Sequence, residues 1–154
     1  MIKARISRQQ ILNNIPEQYR HYFNIAISDI DQDLYPLFKN FTDAANILCK
    51  FAHINKKIDI VFYTELEPTL KTKTASLNIA LINKDTIHFY VGQTIFYNLD
   101  KAIQYPNEVQ ITAYLEELVH VFMNVNDEVL VKEIVSSMYE GVTYNKEKDI
   151  YKFK

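Results

Sequence analysis

The sequence predicts one domain of the α+β class, and three observations lead to that prediction. The chain has 154 residues, 48% of them hydrophobic and 13% aromatic, enough for one substantial core. Apolar residues recur at helical spacing towards both ends but alternate with polar residues in the middle. Only 2 glycines and 4 prolines are present, which argues against linkers and repeats. We therefore expect a single domain over residues 1–154, with a helical part (1–54), a sheet (55–92), a pair of helices (93–140) and a tail (141–154).

The N-terminal third is predicted to be helical. Short helices are expected from Ser7 to about Asn14, with Ser7 as the cap, and from Pro16 to about Ser28, with Pro16 at the first helical position. A longer helix is expected from about Thr42 to His53, because apolar residues there repeat every three or four positions along one face. The residues of that face are Ala45, Leu48, Cys49 and Ala52.

The middle of the chain is predicted to form a small mixed sheet of three strands. Ile58–Tyr63 is a β-branched and aromatic run of strand length, and both Ala75–Leu81 and Ile87–Val91 alternate apolar with polar residues. The short connection Asn83–Asp85 predicts a hairpin turn between the last two strands. These two strands are therefore expected to pair in the antiparallel direction.

After Gly92 the spacing of apolar residues again favours helices. Helical spacing is weak over Thr94–Ile103 and clear from Asn107, which is expected to cap the longest of these helices. The polar break Asn124–Asn126 ends that helix, and Asn126 or Asp127 is expected to cap a last helix running to about Tyr139. The apolar stripe of the longer helix is Ile111, Leu115, Leu118 and Phe122.

Composition and charge exclude several classes of function. With 17 basic and 19 acidic residues the formal charge is −2, so nucleic acid is not expected as a partner. The scarcity of glycine argues against Gly-rich phosphate loops, and no apolar run approaches the roughly 20 residues of a membrane span. We expect a cytoplasmic protein without a membrane partner. Cys49 is the only cysteine and is most simply a small core residue.

The most informative segment places two carboxylates and an imidazole on one helix. Glu116 and His120 are four positions apart and Glu117 is three from the same histidine, so all three can converge on one point. In the HExxH pattern of zinc peptidases, two histidines four positions apart bind the metal and the intervening glutamate activates water. Glu116 stands where the first histidine of that pattern would be. Asp127 or Glu128, in the first turn of the next helix, can fold over the same face.

Spacing alone also allows structural explanations for these residues. Acidic residues near a helix start offset its dipole, so Asp127 and Glu128 have a structural explanation. Glu133 and Glu140 are further acidic candidates. On its predicted strand, His88 stands at one of the positions that alternate with the apolar residues. It is therefore expected to face solvent; the alternative is that it points into a cleft. His21 and His53 are most simply structural.

The segment from about Ile58 to Tyr139 resembles the gluzincin type of metallopeptidase domain, within the zincin-like folds. Glu117-Leu-Val-His120 looks like the ExxH half of its motif. The resemblance implies Glu117 as the water-activating base, His120 as a metal ligand and Asp127 or Glu128 as an acidic ligand. Glu116 would replace an imidazole ligand with a carboxylate, which shifts preference from Zn²⁺ towards Mn²⁺ or towards no metal at all.

Three hypotheses follow for the function. The first is a metal-dependent peptidase with a divergent EExxH motif. The second is a non-catalytic interaction or regulatory protein that retains a degenerate zincin scaffold and binds an unknown protein or peptide. The third is an unrelated α+β domain in which the motif is accidental. Without a cation, clustered carboxylates at this site are expected to hold protons, because they raise one another's pKa.

Overall fold

A mixed sheet flanked by helices forms the body of the protein in the computed structural model, which describes residues 4–27, 29–64, 68–71 and 73–154. The α-helices are α1 (Arg8–Leu12), α2 (Tyr35–Phe51), α3 (Leu99–Ala102), α4 (Asn107–Phe122) and α5 (Glu128–Met138), with 3₁₀ turns at Glu17–Tyr22 and Gln32–Leu34. The strands are β1 (Phe23–Ile27), β2 (Ile58–Tyr63), β3 (Thr69–Lys71), β4 (Ser76–Asn78), β5 (His88–Val91), β6 (Thr94–Asn98), β7 (Val142–Asn145) and β8 (Ile150–Phe153).

The central sheet has the strand order β1-β2-β6-β5. β2 is parallel to both β1 and β6, and its Ile60 lies beside Ile25 on one side and Ile95 on the other. β5 is antiparallel to β6 and lies at the edge of the sheet. The pairs β3–β4 and β7–β8 form two separate antiparallel ribbons.

Aromatic side chains fill the space between the sheet and the helices α2 and α4. The ring of Phe41, on α2, lies 5.1 Å from that of Phe62 and 5.5 Å from that of Tyr97. Tyr114, on α4, meets Tyr97 edge to face at 4.8 Å, and the Tyr97 hydroxyl donates to the Tyr114 carbonyl. These contacts fix α4 over β6 and thereby determine where the motif residues lie. A smaller buried cluster of Val61, Tyr63 and Phe96 covers the opposite face of the sheet.

The structure confirms the α+β class and several predicted elements. The Ser7 side chain caps α1 in a full capping box, and Ile58–Tyr63 is a buried strand. α4 begins at Asn107, although its cap position is Pro106, and Asp127 caps α5 through a hydrogen bond from the Leu130 N–H. Across the described ranges, every helix is too short or too polar to traverse a lipid bilayer.

The prediction of a three-stranded sheet is wrong, because the central sheet has four strands. One missed strand is Phe23–Ile27, which lies inside the predicted helix from Pro16 to Ser28; Ser28 itself falls outside the described residues. Phe23 and Ile25 are buried and alternate with exposed residues, so a period of two outweighs the helix-start signal of Pro16.

The second missed strand is Thr94–Asn98, which was predicted as the start of a helix. Gly92 has a φ of +60°, a left-handed conformation that suits a tight turn, and it lets β6 fold back on β5. Asn83–Asp85 therefore does not connect a pair of strands: β4 pairs with β3 instead, over Ser76–Asn78 only. Helix appears only at Leu99–Ala102, where the Asn98 side chain caps α3.

Two further segments differ from the prediction: the start of α2 and residues 141–154. α2 begins at Tyr35 rather than Thr42, with a proline in its first turn, and the Thr42 hydroxyl donates to the Lys39 carbonyl inside the helix. Residues 141–154, expected as a tail, form the β7–β8 hairpin. Cys49 is buried in the core, as predicted.

Candidate binding cleft

A cleft of about 290 Å³ lies between α4 and the segment leading into β5. The two glutamates of the motif lie on one wall and His88 on the other. The buried side chains of Leu115 and Leu118 fix the orientation of α4. Glu116 and Glu117, which lie between them in sequence, are therefore on the side of the helix that faces β5. The complete lining is Asp85, Thr86, Ile87, His88, Ala113, Glu116 and Glu117.

Glu117 is a partly buried carboxyl group with one oxygen left unpaired. Its Oε2 atom is inaccessible to solvent and makes no hydrogen bond with any described residue. Burial, with smaller effects from the charges of Glu116 and Glu128, raises the pKa of Glu117 to about 8. The side chain is therefore mostly protonated at neutral pH and can donate as well as accept a hydrogen bond.

His88 is the residue of this cleft that differs most from its expected position. It is only 9% exposed, and its ring stacks on Tyr114 at 4.9 Å instead of facing solvent. Burial lowers the pKa of His88 to about 3, against a smaller opposing effect of the Ile87 carbonyl, so the ring is neutral. The alternating sequence pattern of β5 identified His88 as a candidate site residue. It could not predict that the side chain is buried.

His88 also contacts the main chain of β6. The Asn98 N–H is shared between the Ile87 carbonyl oxygen at 3.2 Å and His88 Nδ1 at 3.3 Å. The other ring nitrogen, Nε2, is buried and makes no hydrogen bond with any residue that the structure describes. Both Glu117 and His88 thus have one buried polar atom without a partner in the described chain.

Glu116 is held by the C-terminal hairpin. The Tyr151 hydroxyl, on β8, donates to Glu116 Oε1 over 2.5 Å. Burial raises the pKa of Glu116, while this hydrogen bond and the charge of Lys132 oppose the shift. Glu116 therefore has a partner within the protein, and sequence reasoning missed Tyr151 because residues 141–154 carried no recognised pattern.

His120 lies at the end of α4 in a fixed orientation. Its Nδ1 is 2.6 Å from the Val125 carbonyl oxygen, and the Val125 N–H donates to the His120 carbonyl. Asn124, with a φ of +54°, provides the left-handed turn that brings Val125 back to the helix end. Nε2 then faces Glu128 Oε2 at 3.4 Å, and Tyr90 stacks on the ring at 4.9 Å.

The remaining acidic candidates lie apart from this group. Asp127 accepts from the Leu130 N–H at 2.8 Å, as the cap of α5. Glu133 pairs with Lys146 at 3.1 Å on the hairpin side, and Glu140 lines a different groove beside Phe51. Of the predicted ligands, the structure brings together His120 and Glu128, places Glu116 on the adjacent cleft and leaves Asp127 as a cap; Glu117, predicted as the catalytic base, lines the cleft beside Glu116.

The donor set does not fit the metal centre of a zinc peptidase. Within the described ranges, no three His, Cys, Asp or Glu side chains are grouped so that they could hold one metal ion. Zinc in such enzymes has three protein ligands, whereas here only His120 and Glu128 face each other and Glu116 is bonded to Tyr151.

Comparison of the chain with protein-family models, with curated proteins and with solved structures finds no match.

The edge of the sheet beside the cleft carries free main-chain groups. Because the Ile87 carbonyl accepts from the Asn98 N–H, the alternation of an antiparallel ladder directs the main-chain groups of Phe89 and Val91 towards β6. The N–H and C=O groups of His88 and Tyr90 then point away from β6, and no strand of the described chain pairs with them. Such an edge is a template for an additional strand.

Proposed function

We propose that the protein is a non-catalytic binding protein that receives an extended peptide segment in the cleft between α4 and β5. The observation that carries this proposal is the open edge of β5, where the N–H and C=O groups of His88 and Tyr90 face no strand of the described chain, beside the cleft that Glu117 and His88 line. Each of these two lining side chains also has a buried polar atom with no partner among the described residues, Glu117 Oε2 and His88 Nε2. An unpaired edge beside a cleft suits a ligand with main-chain donors and acceptors of its own.

The position of β5 supports an extended peptide as that ligand. A peptide can add to the open edge through the main-chain groups of His88 and Tyr90, whose side chains face the same helix α4. Strand addition supplies affinity through the main chain, and the adjacent cleft supplies selectivity for a side chain. A cytoplasmic location remains a prediction from the sequence.

The proposal is tested by selecting peptides from a random library on the purified protein and measuring their affinities by titration calorimetry. Ala113 lines the cleft, and Ala113→Trp should fill it and weaken binding more than about tenfold, or 1.4 kcal/mol. Glu108→Trp is the matched control, because Glu108 is exposed on the first turn of the same helix and is not part of the cleft lining. Failure to select any peptide, or equal affinities for both variants, would contradict the proposal.

A metal-dependent peptidase is the second candidate, and one observation favours it. Histidines that bind metals usually donate their other ring nitrogen to a carbonyl or carboxylate, and the Nδ1 contact of His120 with Val125 has that form. Its Nε2 is left facing Glu128, one of the two residues, Asp127 or Glu128, that the resemblance to gluzincins implies as the acidic ligand.

Titration calorimetry with Zn²⁺ and Mn²⁺ separates the two functions. The binding-protein proposal predicts no stoichiometric site, with affinities weaker than about millimolar that do not change in His120→Ala. Stoichiometric binding that His120→Ala abolishes, together with peptide hydrolysis lost in Glu117→Gln, would support the peptidase instead.

A further inference from the structure

We infer that the peptide bound at the edge of β5 is an amphipathic strand, with a lysine or arginine on the face towards α4 and apolar side chains on the opposite, outer face of the sheet. The inference rests on the proposed function, because it names the chemical class of peptide that the edge receives. It depends on the side chains that β5 presents on its two faces and on the carboxyl groups that lie beside one of them.

The pleat of β5 determines how the side chains of an added strand alternate. The main-chain groups of His88 and Tyr90 point away from β6, so an added strand forms its hydrogen bonds with these two residues. Side chains directly opposite each other in neighbouring strands lie on the same face. A peptide residue opposite Tyr90 therefore projects towards α4, and the residues before and after it project to the outer face.

The outer face of β5 is apolar up to the edge of the sheet. Phe89 stacks on Phe96 at 4.7 Å and meets Tyr63 edge to face at 6.5 Å, beside the smaller buried cluster. Val91 lies two positions further on the same face and remains 61% exposed. Apolar side chains of an added strand pack beside Phe89 and Val91 and remove this surface from water. A charged side chain at the same positions lacks that gain.

The face towards α4 carries carboxyl groups at the edge. The ring of Tyr90 stacks on His120 at 4.9 Å, and Glu128 Oε2 lies 3.4 Å from Nε2 of the same histidine. The side chain of Glu128 is 68% exposed, so a cationic group next to Tyr90 can reach it. The adjacent cleft is lined by three more carboxyl groups, Asp85, Glu116 and Glu117.

Two lysines lie close to these carboxyl groups, and both already have partners. Lys101 is 3.9 Å from Asp85, and Lys132 is 2.7 Å from Asp149 on the C-terminal hairpin. A peptide lysine or arginine opposite Tyr90 therefore finds the exposed carboxylate of Glu128 available, and the aromatic ring beside it also attracts a cation. An aspartate or glutamate at the same position meets like charge.

The experiment is an NMR titration of the isotope-labelled protein with three synthetic peptides of about six residues, blocked at both ends. The first alternates valine with lysine, the second alternates valine with glutamate, and the third has the composition of the first with valines and lysines in separate blocks. We expect the first to shift the signals of His88 and Tyr90 and to bind at least about tenfold more tightly than the others. Equal or tighter binding of the second or third peptide, or no binding of the first, would overturn the inference.

A pair of variants on α5 tests the charge. Glu128→Gln should weaken binding of the valine–lysine peptide about two- to fivefold, as for the loss of one exposed ion pair. Glu133→Gln is the matched control, because Glu133 lies on the same helix but faces Lys146 of the hairpin, so the net charge changes equally away from the edge. The same loss in both variants, or in neither, would reject the placement of the cationic side chain.

A second pair of variants tests the outer face. Val91→Thr keeps the shape of the side chain and its preference for a strand but removes apolar contact, and should weaken binding about two- to fourfold. Ile150→Thr is the control, because Ile150 is 53% exposed on β8 of the separate hairpin. Dispersed spectra establish that each variant is folded. Unchanged binding by Val91→Thr, or an equal loss in Ile150→Thr, would reject the apolar contact.

The proposed function and this inference fail separately. If selected peptides bind and Ala113→Trp weakens them, while the valine–lysine peptide binds no better than the other two, only the amphipathic pattern is wrong. If no peptide binds, either from the library or among these three, the peptide-binding function is wrong.

Discussion

Glu117 is one of the residues that make the stability of the protein depend on pH. Its folded-state pKa of about 8 lies above the ordinary value of 4.5, so the folded chain holds this proton more tightly than the unfolded chain. Its contribution to stability is therefore full below about pH 4.5 and is lost as the pH rises towards and through 8. Glu116, whose pKa is also raised by burial, contributes in the same direction.

We expect the free energy of unfolding to fall between about pH 5 and about pH 8 and expect Glu117→Gln to remove most of that fall. The upper bound for this side chain is on the order of 4 kcal/mol, at about 1.4 kcal/mol for each unit of pKa. Urea unfolding of both proteins at the two pH values measures it. A wild-type stability that rises with pH, or the same slope in the variant, would contradict this account.

The candidate residues were chosen from local spacing, whereas their contacts depend on the folded chain. The i and i+4 spacing predicts Glu116 and His120 on one side of α4, because helix geometry is local; in the structure Glu116 lines the cleft and His120 faces Glu128. It could not show that Tyr151, 35 positions away, donates to Glu116, or that His88 is buried against Tyr114. Both contacts depend on tertiary packing, which no short window of sequence contains.

At the scale of elements, the C-terminal hairpin fixes the motif helix through one hydrogen bond. Tyr151→Phe removes the donor to a largely buried Glu116 and should lower the free energy of unfolding by about 1–3 kcal/mol. Tyr144→Phe, on the paired strand, is the control: its hydroxyl donates to the exposed Asp149, and the change should stay within about 0.5 kcal/mol. Equal effects in denaturant unfolding would show that the hairpin does not hold the helix.

The β5–β6 turn depends on the left-handed conformation of Gly92. An added Cβ meets nothing within 4 Å, so the effect of a substitution there is backbone strain alone. Gly92→Val should lower the free energy of unfolding by about 1–2 kcal/mol, and Gly92→Asn by less, because asparagine tolerates this region better. Thermal unfolding of the two variants measures the difference, and the reverse order would argue against this turn.

Burial on both faces of the sheet explains why the sequence pattern did not predict β6. Thr94–Asn98 carries Ile95 and Tyr97 towards the main core and Phe96 towards the opposite face, so all three are buried and period-two alternation is hidden. The exposed β4 shows the converse, since an alternating pattern there forms only a short strand of an isolated ribbon. Alternation predicts strands that are half buried and misses those buried on both faces.

At the scale of the whole molecule, stability depends on the aromatic cluster between the sheet, α2 and α4. Phe41 is fully buried and its ring contacts four others, including Phe23 and Tyr114. Phe41→Ala should lower the free energy of unfolding by about 3–5 kcal/mol. Phe51→Ala, at a residue 56% exposed on the same helix, should cost less than about 1 kcal/mol. Comparable losses of unfolding free energy in the two variants, measured with urea, would show that the aromatic cluster around Phe41 is not the main source of stability.

The central claim is that this fold presents a cleft and an open sheet edge for a peptide, and hydrogen exchange tests it most directly. Exchange measured by mass spectrometry, with and without a selected peptide, reports which main-chain amides become protected. We predict slower exchange at His88 and Tyr90, whose N–H groups face the open edge, and over Ala113–Glu117 on the cleft wall. Protection confined to the other sheet edge, Phe23–Ile27, or to the groove beside Phe51, would contradict it.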